Sequence, residues 1–216
     1  MFKITKKQRL NYNIVLFALN FVYIFIIGLF TGNDNLSAVY YIVMSLIYFF
    51  SILTVEKSGL KHHHYQIPVL MAILLWIGFI FKLPILIKIS GIASTLFFLV
   101  IIVLMVIQIA RSKKIGSLEF LEAVNIYLLF GIAASVLFKI IYVINPQSLT
   151  SSVEDFNSRA DFIYFAFVTL TTLGYGDVLP VDPAARSVTI FFSVAGQLYL
   201  TMIIAMLVGK YLNSKN

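Results

Sequence analysis

Long apolar runs separated by short polar segments organise the whole chain. The first run covers residues 14–30 and stops at the turn-forming cluster Thr31-Gly32-Asn33-Asp34-Asn35. A second covers 36–55, and the polar stretch 56–64 leads to a third at 65–81. Residues 82–88, which contain Pro84, read as a connection. The fourth run covers 89–110, the fifth 120–144 and the sixth 184–210. Each suits a helix crossing a hydrocarbon core of about 30 Å, which takes ~20 apolar residues. Between the fifth and sixth, the polar stretch 145–161 precedes a shorter apolar segment, 162–172. At a rise of about 1.5 Å per residue, that segment reaches roughly half a bilayer. It cannot span, so it reads as a re-entrant half-helix. Irregular backbone after such a helix is tolerable only where protein or a water-filled pore surrounds it.

Composition agrees. Of 216 residues, 61% are hydrophobic and 12% charged, whereas a soluble domain carries about 25% charged residues. Cysteine is absent, which excludes disulfides, thiolate metal sites and cysteine nucleophiles. A net charge of +7 would suggest nucleic acid in a soluble chain. Here the cations cluster between apolar runs, so they read as orienting charges and no nucleic-acid partner is expected. With the N-terminus inside, Lys3, Lys6, Lys7, Arg9, Lys57, Lys61, Arg111, Lys113, Lys114, Lys210 and Lys215 lie inside. Only Lys82, Lys88, Arg159 and Arg186 lie outside, and Lys139 falls within the fifth span. The basic start followed by an apolar run has the look of a signal peptide but lacks a small-residue cleavage site. The expectation is a retained first span in a multi-pass protein of the cell membrane, with both termini cytoplasmic.

The half-helix leads into Thr171-Thr172-Leu173-Gly174-Tyr175-Gly176-Asp177. A cation that must shed water needs replacement oxygens, and backbone carbonyls supply them if successive ones point to one axis. That requires alternating left- and right-handed dihedrals, and glycine reaches positive φ freely, at Gly174 and Gly176. The Thr172 hydroxyl adds an oxygen at the inner end. The Tyr175 ring is expected to pack outward and brace the strand. The half-helix turns its partially negative C-terminus towards the same place. A single pore segment without internal repeat encloses nothing alone, so several copies must surround an axis.

This motif resembles the selectivity filter of the potassium channel superfamily. Asp177 matches the acid that closes the family signature, Pro180 follows at the usual spacing, and Arg186 matches a basic residue opening the inner helix. Gly196 matches the inner-helix glycine that acts as a gating hinge. Leu173 stands where valine is usual. The resemblance covers residues 120–211, while the first four runs match only the general plan. It implies an all-α membrane protein with six spans, a re-entrant pore helix and a filter, assembled as a homotetramer. Residues 1–117 would form a peripheral four-span domain and 118–216 the pore domain. Potassium, as permeant ion rather than cofactor, would bind the backbone carbonyls of Thr172, Leu173, Gly174 and Tyr175 and the Thr172 hydroxyl, with Gly176 and Asp177 completing the filter.

Other features refine this expectation. Voltage sensing needs charges in the field, each worth about 2.3 kcal/mol per 100 mV, and residues 89–110 carry none. A prokaryotic-type channel without voltage gating is expected. The chain closes soon after the sixth run, so no cytoplasmic ligand-binding domain and no identified ligand is expected either. Gln197 and Thr201 share a helix face and, with Leu200, Ala205 and Val208, are expected to line the inner cavity. Close packing is the alternative role for Gly196, and interhelical hydrogen bonding for Gln197 and Thr201. His62, His63 and His64 read as a solvated loop, with pH sensing or metal binding as the sharper alternative. Lys139 is expected to snorkel to the headgroups or to pair with Asp161. Glu154, Asp155 and Asp177 would give a negative outer mouth, and Glu119 and Glu122 read as helix-start acids. A weakly selective cation channel and an ion-coupled transporter are the rival readings. The latter lacks a mid-span acid, and an enzyme lacks any nucleophile–base or metal-ligand set.

Overall fold

A computed structural model describes residues 5–26, 37–55, 66–112, 115–152 and 156–213. The expectations for the His62–His64 loop, Glu154 and Asp155 fall outside these residues. The helices in order are α1 (Lys6–Phe21, continued by a wider π-turn over Val22–Ile26), α2 (Ser37–Thr54), α3 (Gln66–Ile80), α4 (Pro84–Arg111), α5 (Ser117–Ile144), α6 (Arg159–Leu170) and α7 (Pro183–Asn213). Among the described residues, four helices are long and apolar enough to cross a membrane: Lys6–Ile26, α4, α5 and α7. The apolar helices α2 and α3 are shorter. The protein is therefore a mainly helical membrane protein.

Several boundaries differ from expectation for identifiable reasons. Helix α1 begins at Lys6 rather than residue 14, because Thr5 and Gln8 form a capping box: the Gln8 N–H donates to Thr5 Oγ1 at 3.2 Å and the Thr5 N–H to Gln8 Oε1 at 2.9 Å. The connection is shorter than residues 82–88 and ends before Pro84. Pro84 occupies the first position of α4, where its missing N–H costs nothing and its fixed φ suits a helix. Lys88 accordingly lies inside α4 rather than just outside the fourth span. The segment before α6 is not wholly irregular either. Pro146–Ser148 form a short 3₁₀ turn, and β1 (Leu149–Ser151) pairs antiparallel with β2 (Val178–Pro180), matching Thr150 with Leu179. The architecture is thus helical with one small ribbon.

Helix α5 is the hub, packing against α1, α4, α6 and α7. Its N-terminal end carries a buried polar network that draws α1 and α4 onto it. The Lys6 ammonium pairs with Glu119 and the Arg9 guanidinium with Glu122, each at 3.0 Å, and both carboxylates are almost fully buried. Gln108 of α4 donates to Glu122 at 2.8 Å, and Asn125 donates to the backbone carbonyl of Asn13 at 2.9 Å. Glu119 does serve its own helix start, accepting from the Gly116 N–H at 2.9 Å. Glu122 faces α1 and α4 instead, so helix-start stabilisation describes only one of the two acids.

At the other end of α5, Lys139 lies over the Phe162 ring, 5.8 Å from its centre. It makes no ion pair with Asp161, whose carboxylate accepts the N–H groups of Asn157 and Ser158. The capping of α6 has claimed that acid, which the sequence could not show.

Candidate functional site

Helix α6 is the element that aims the glycine loop. Ser158 and Asp161 form its capping box. Phe162, Ile163, Phe165, Ala166, Val168, Thr169 and Leu170 bury its inner faces. The ring of Phe165 packs on Phe138 of α5, centres 4.6 Å apart, and Phe138 packs on Phe192 of α7 at 6.0 Å. The half-helix is thereby fixed between the two long helices, with its carbonyl end towards the loop.

The chain then leaves the helix through a tight turn. The N–H groups of Leu173 and Gly174 both donate to the Val168 carbonyl, at 3.0 and 3.3 Å, and the Thr172 N–H donates to the Thr169 carbonyl at 3.0 Å. From there the backbone alternates in hand. Thr172, Gly174 and Gly176 have φ of 58°, 56° and 80°, while Leu173 and Tyr175 between them do not enter positive φ. Alternation of this kind turns successive carbonyls to the same side of an extended strand. The positions of Gly174 and Gly176 agree with the expected dihedral pattern. Thr172 adds a third left-handed residue that the sequence does not announce, since a β-branched side chain rarely adopts positive φ. Such a residue is strained by about 1–3 kcal/mol and persists where its surroundings impose it.

Those surroundings are visible. The Gln197 side-chain amide of α7 donates to the Thr172 hydroxyl at 3.3 Å. At the opposite end of the loop, Tyr175 stacks on Tyr164 of α6, with rings 6° from parallel and centres 6.5 Å apart. The Tyr164 hydroxyl donates to the Asp177 carboxylate. That hydrogen bond to a carboxylate pushes the Tyr164 phenol up to about 12, so it remains a donor at neutral pH. The ribbon anchors the outer end of the loop: the Ser152 N–H donates to the Asp177 carbonyl at 2.9 Å, and the Val181 N–H to the Ser148 carbonyl at 2.8 Å.

The other sequence-derived residues fall into two groups. Gln197, Thr201, Ala205 and Val208 are exposed along α7, and Leu200 is half-buried against the core. Gly196 is buried in an unbroken helix. A Cβ there would lie 2.5 Å from Leu170 Cδ1 and 3.0 Å from the Leu170 carbonyl oxygen, so glycine lets α7 pass close to the end of α6. Sequence reasoning missed Tyr164, although an aromatic one turn into the half-helix was a usable signal. It also missed Lys210, whose ammonium donates to the carbonyls of Ile109, Ala110 and Ser112 at 2.7–3.0 Å, capping the C-terminal end of α4. Among the described residues no acidic or histidine cluster suits a metal ion.

A half-length helix thus leads into a backbone of alternating hand, between two membrane-length helices. Residues 124–213 match the family described as "Ion channel". Over much of the same region the chain is similar to proteins named as potassium channels. It is 35% identical over 88 residues to "Two pore potassium channel c" of Oryza sativa subsp. japonica, covering 41% of this chain and 19% of that protein. It is 32% identical over 93 residues to "Voltage-gated potassium channel" of Aeropyrum pernix, covering 43% of this chain and 28% of that one. With "Potassium channel K1" of Plasmodium berghei it shares 38% over 55 residues, or 26% of this chain and 3% of the other. The chain thus matches less than a third of the length of each of these relatives. No solved structure matches it.

Proposed function

We propose that the protein is a potassium-selective channel that passes K⁺ passively down its electrochemical gradient. The alternating hand of Thr172, Gly174 and Gly176 carries this reading. In a homotetramer, four copies of the loop supply stacked rings of carbonyl oxygens from Thr172, Leu173, Gly174 and Tyr175, with the Thr172 hydroxyls at the inner end. Gly176 and Asp177 complete the filter, and the Tyr164–Asp177 bond braces its mouth. The C-terminal dipole of α6 favours a cation below it.

The tetramer has six spans per chain, α2 and α3 completing the peripheral set, in a cell membrane with both termini cytoplasmic. Residues 1–117 form the peripheral domain and 118–216 the pore domain. Gln197, Thr201, Ala205 and Val208 face the aqueous cavity, with Leu200 at its margin, and Gly196 lies where α7 would bend on gating. The stretch of α4 from 89 to 110 holds no charge, so voltage has little to act on.

Liposome flux tests the reading. Purified protein in vesicles loaded with K⁺ should support K⁺ efflux that is suppressed when Na⁺ replaces K⁺ inside. Equal efflux of both ions, or none, would refute it.

A further inference from the structure

A cleft of about 350 Å³ opens between α2, α3, α4, α5 and the start of α6. Three cations line it: Lys88, Lys139 and Arg159. Among the described residues no carboxylate lies within ion-pairing distance of any of them, and Asp161 is engaged in capping α6. Arg159 is nevertheless held in place. Its guanidinium lies 3.9 Å from the centre of the Tyr40 ring and 4.9 Å from that of Tyr41, and its Nη2 donates to the Tyr41 hydroxyl at 2.9 Å. Positive charge gathered in a largely apolar cleft is costly unless anions balance it. Membrane proteins use basic pockets between helices to hold lipid headgroups.

We infer that this cleft binds an anionic membrane phospholipid, its phosphate on Lys88, Lys139 and Arg159 and one acyl chain along the cleft's apolar walls. The depth of the groups matches that ligand. Pro84 and Arg159 open their helices and Val143 is next to the last residue of α5, so the mouth lies at helix ends, where headgroups sit. Met44, Leu75, Val136 and Ile140 line the interior, and Ser94 lies about 9 Å along α4 from Lys88. Ile85 and Ile144, at the same helix ends, are 72% and 59% exposed. A small soluble anion would satisfy the cations and leave these walls wet.

The single tryptophan reports on this place. Trp76 packs on Tyr41, ring centres 6.0 Å apart. Full-length protein in nanodiscs is titrated with brominated-acyl phosphatidylglycerol or brominated-acyl phosphatidylcholine while Trp76 fluorescence is followed. Phosphatidylglycerol should quench at the lower mole fraction. Lys88→Gln, at a half-exposed position, and the double variant with Lys139→Gln should each weaken that preference, by about fivefold per charge removed. Glycerol phosphate in the buffer should leave it unchanged. Equal quenching by the two lipids, an unchanged preference in the Lys88→Gln protein, or displacement by glycerol phosphate would each overturn the inference.

Discussion

The Gln197 amide of α7 donates to the Thr172 hydroxyl at 3.3 Å, joining the middle of that helix to the start of the glycine loop. Thr172 is also the one non-glycine residue of the loop at positive φ. The bond therefore holds a strained residue from a separate element, and any movement of α7 is felt at that end of the loop. Gln197→Leu keeps the side chain's bulk and removes the donor. A hydrogen bond of this kind contributes about 1 kcal/mol, so K⁺ affinity should fall by roughly fivefold, measured by calorimetric titration in Na⁺-balanced buffer. An unchanged affinity would mean that the bond does not support the oxygen ring.

Gly196 and Leu170 set the spacing between α7 and α6. Gly196→Ala would place a methyl 3.0 Å from a backbone carbonyl oxygen that cannot retreat without moving the loop. Overpacking of this kind costs about 1–3 kcal/mol. The thermal midpoint of Gly196→Ala should fall, and Leu170→Ala on the same chain should recover part of the loss by yielding the Cδ1 contact at 2.5 Å. A glycine acting only as a hinge would instead leave the midpoint unchanged and alter open probability.

Arg9 and Glu122 are paired at 3.0 Å with Glu122 fully buried. Removing one member leaves an uncompensated charge, which costs about 3–5 kcal/mol. Arg9→Met should therefore lower the unfolding midpoint steeply. Arg9→Met combined with Glu122→Gln should recover most of the difference, because the new amide still accepts from Gln108. Equal destabilisation in the single and double variants would show that the charge itself is not the cause.

The Tyr164–Asp177 bond makes a pH prediction. Asp177 raises the Tyr164 phenol above its ordinary 10.0 to about 12, so the protonated donor is favoured in the folded protein. Its contribution is complete below pH 10 and lost as pH rises through about 12. The midpoint difference between the parent and Tyr164→Phe should be constant from about pH 7 to 10 and shrink above that. A difference that already vanishes between about pH 7 and 9 would place the proton elsewhere.

The parts legible in the sequence come from local chemistry. Runs of apolar residues mark the helices, the length of the 162–172 segment limits it to half a bilayer, and Gly174 and Gly176 announce positive φ. The illegible parts depend on partners distant in sequence. Nothing near Thr172 says that it will be left-handed, since the cause includes Gln197 and the packing of α7. Glu122 looks like a helix-start acid until Arg9 is brought over from α1. Thr150 lies in a polar loop until Leu179 arrives to pair with it. Pro84 is legible but easily misread: it suggests a break, whereas at the first position of a helix it marks a beginning.

The central claim is that the carbonyl loop selects potassium, and bi-ionic reversal potentials test it most directly. With K⁺ on one side of a planar bilayer and Na⁺ on the other, currents through the reconstituted protein should reverse close to the potassium equilibrium limit. A Gly174→Ala protein, strained where φ is 56°, should lose that preference or the current. A reversal potential near zero in the parent protein would contradict potassium selection by the loop.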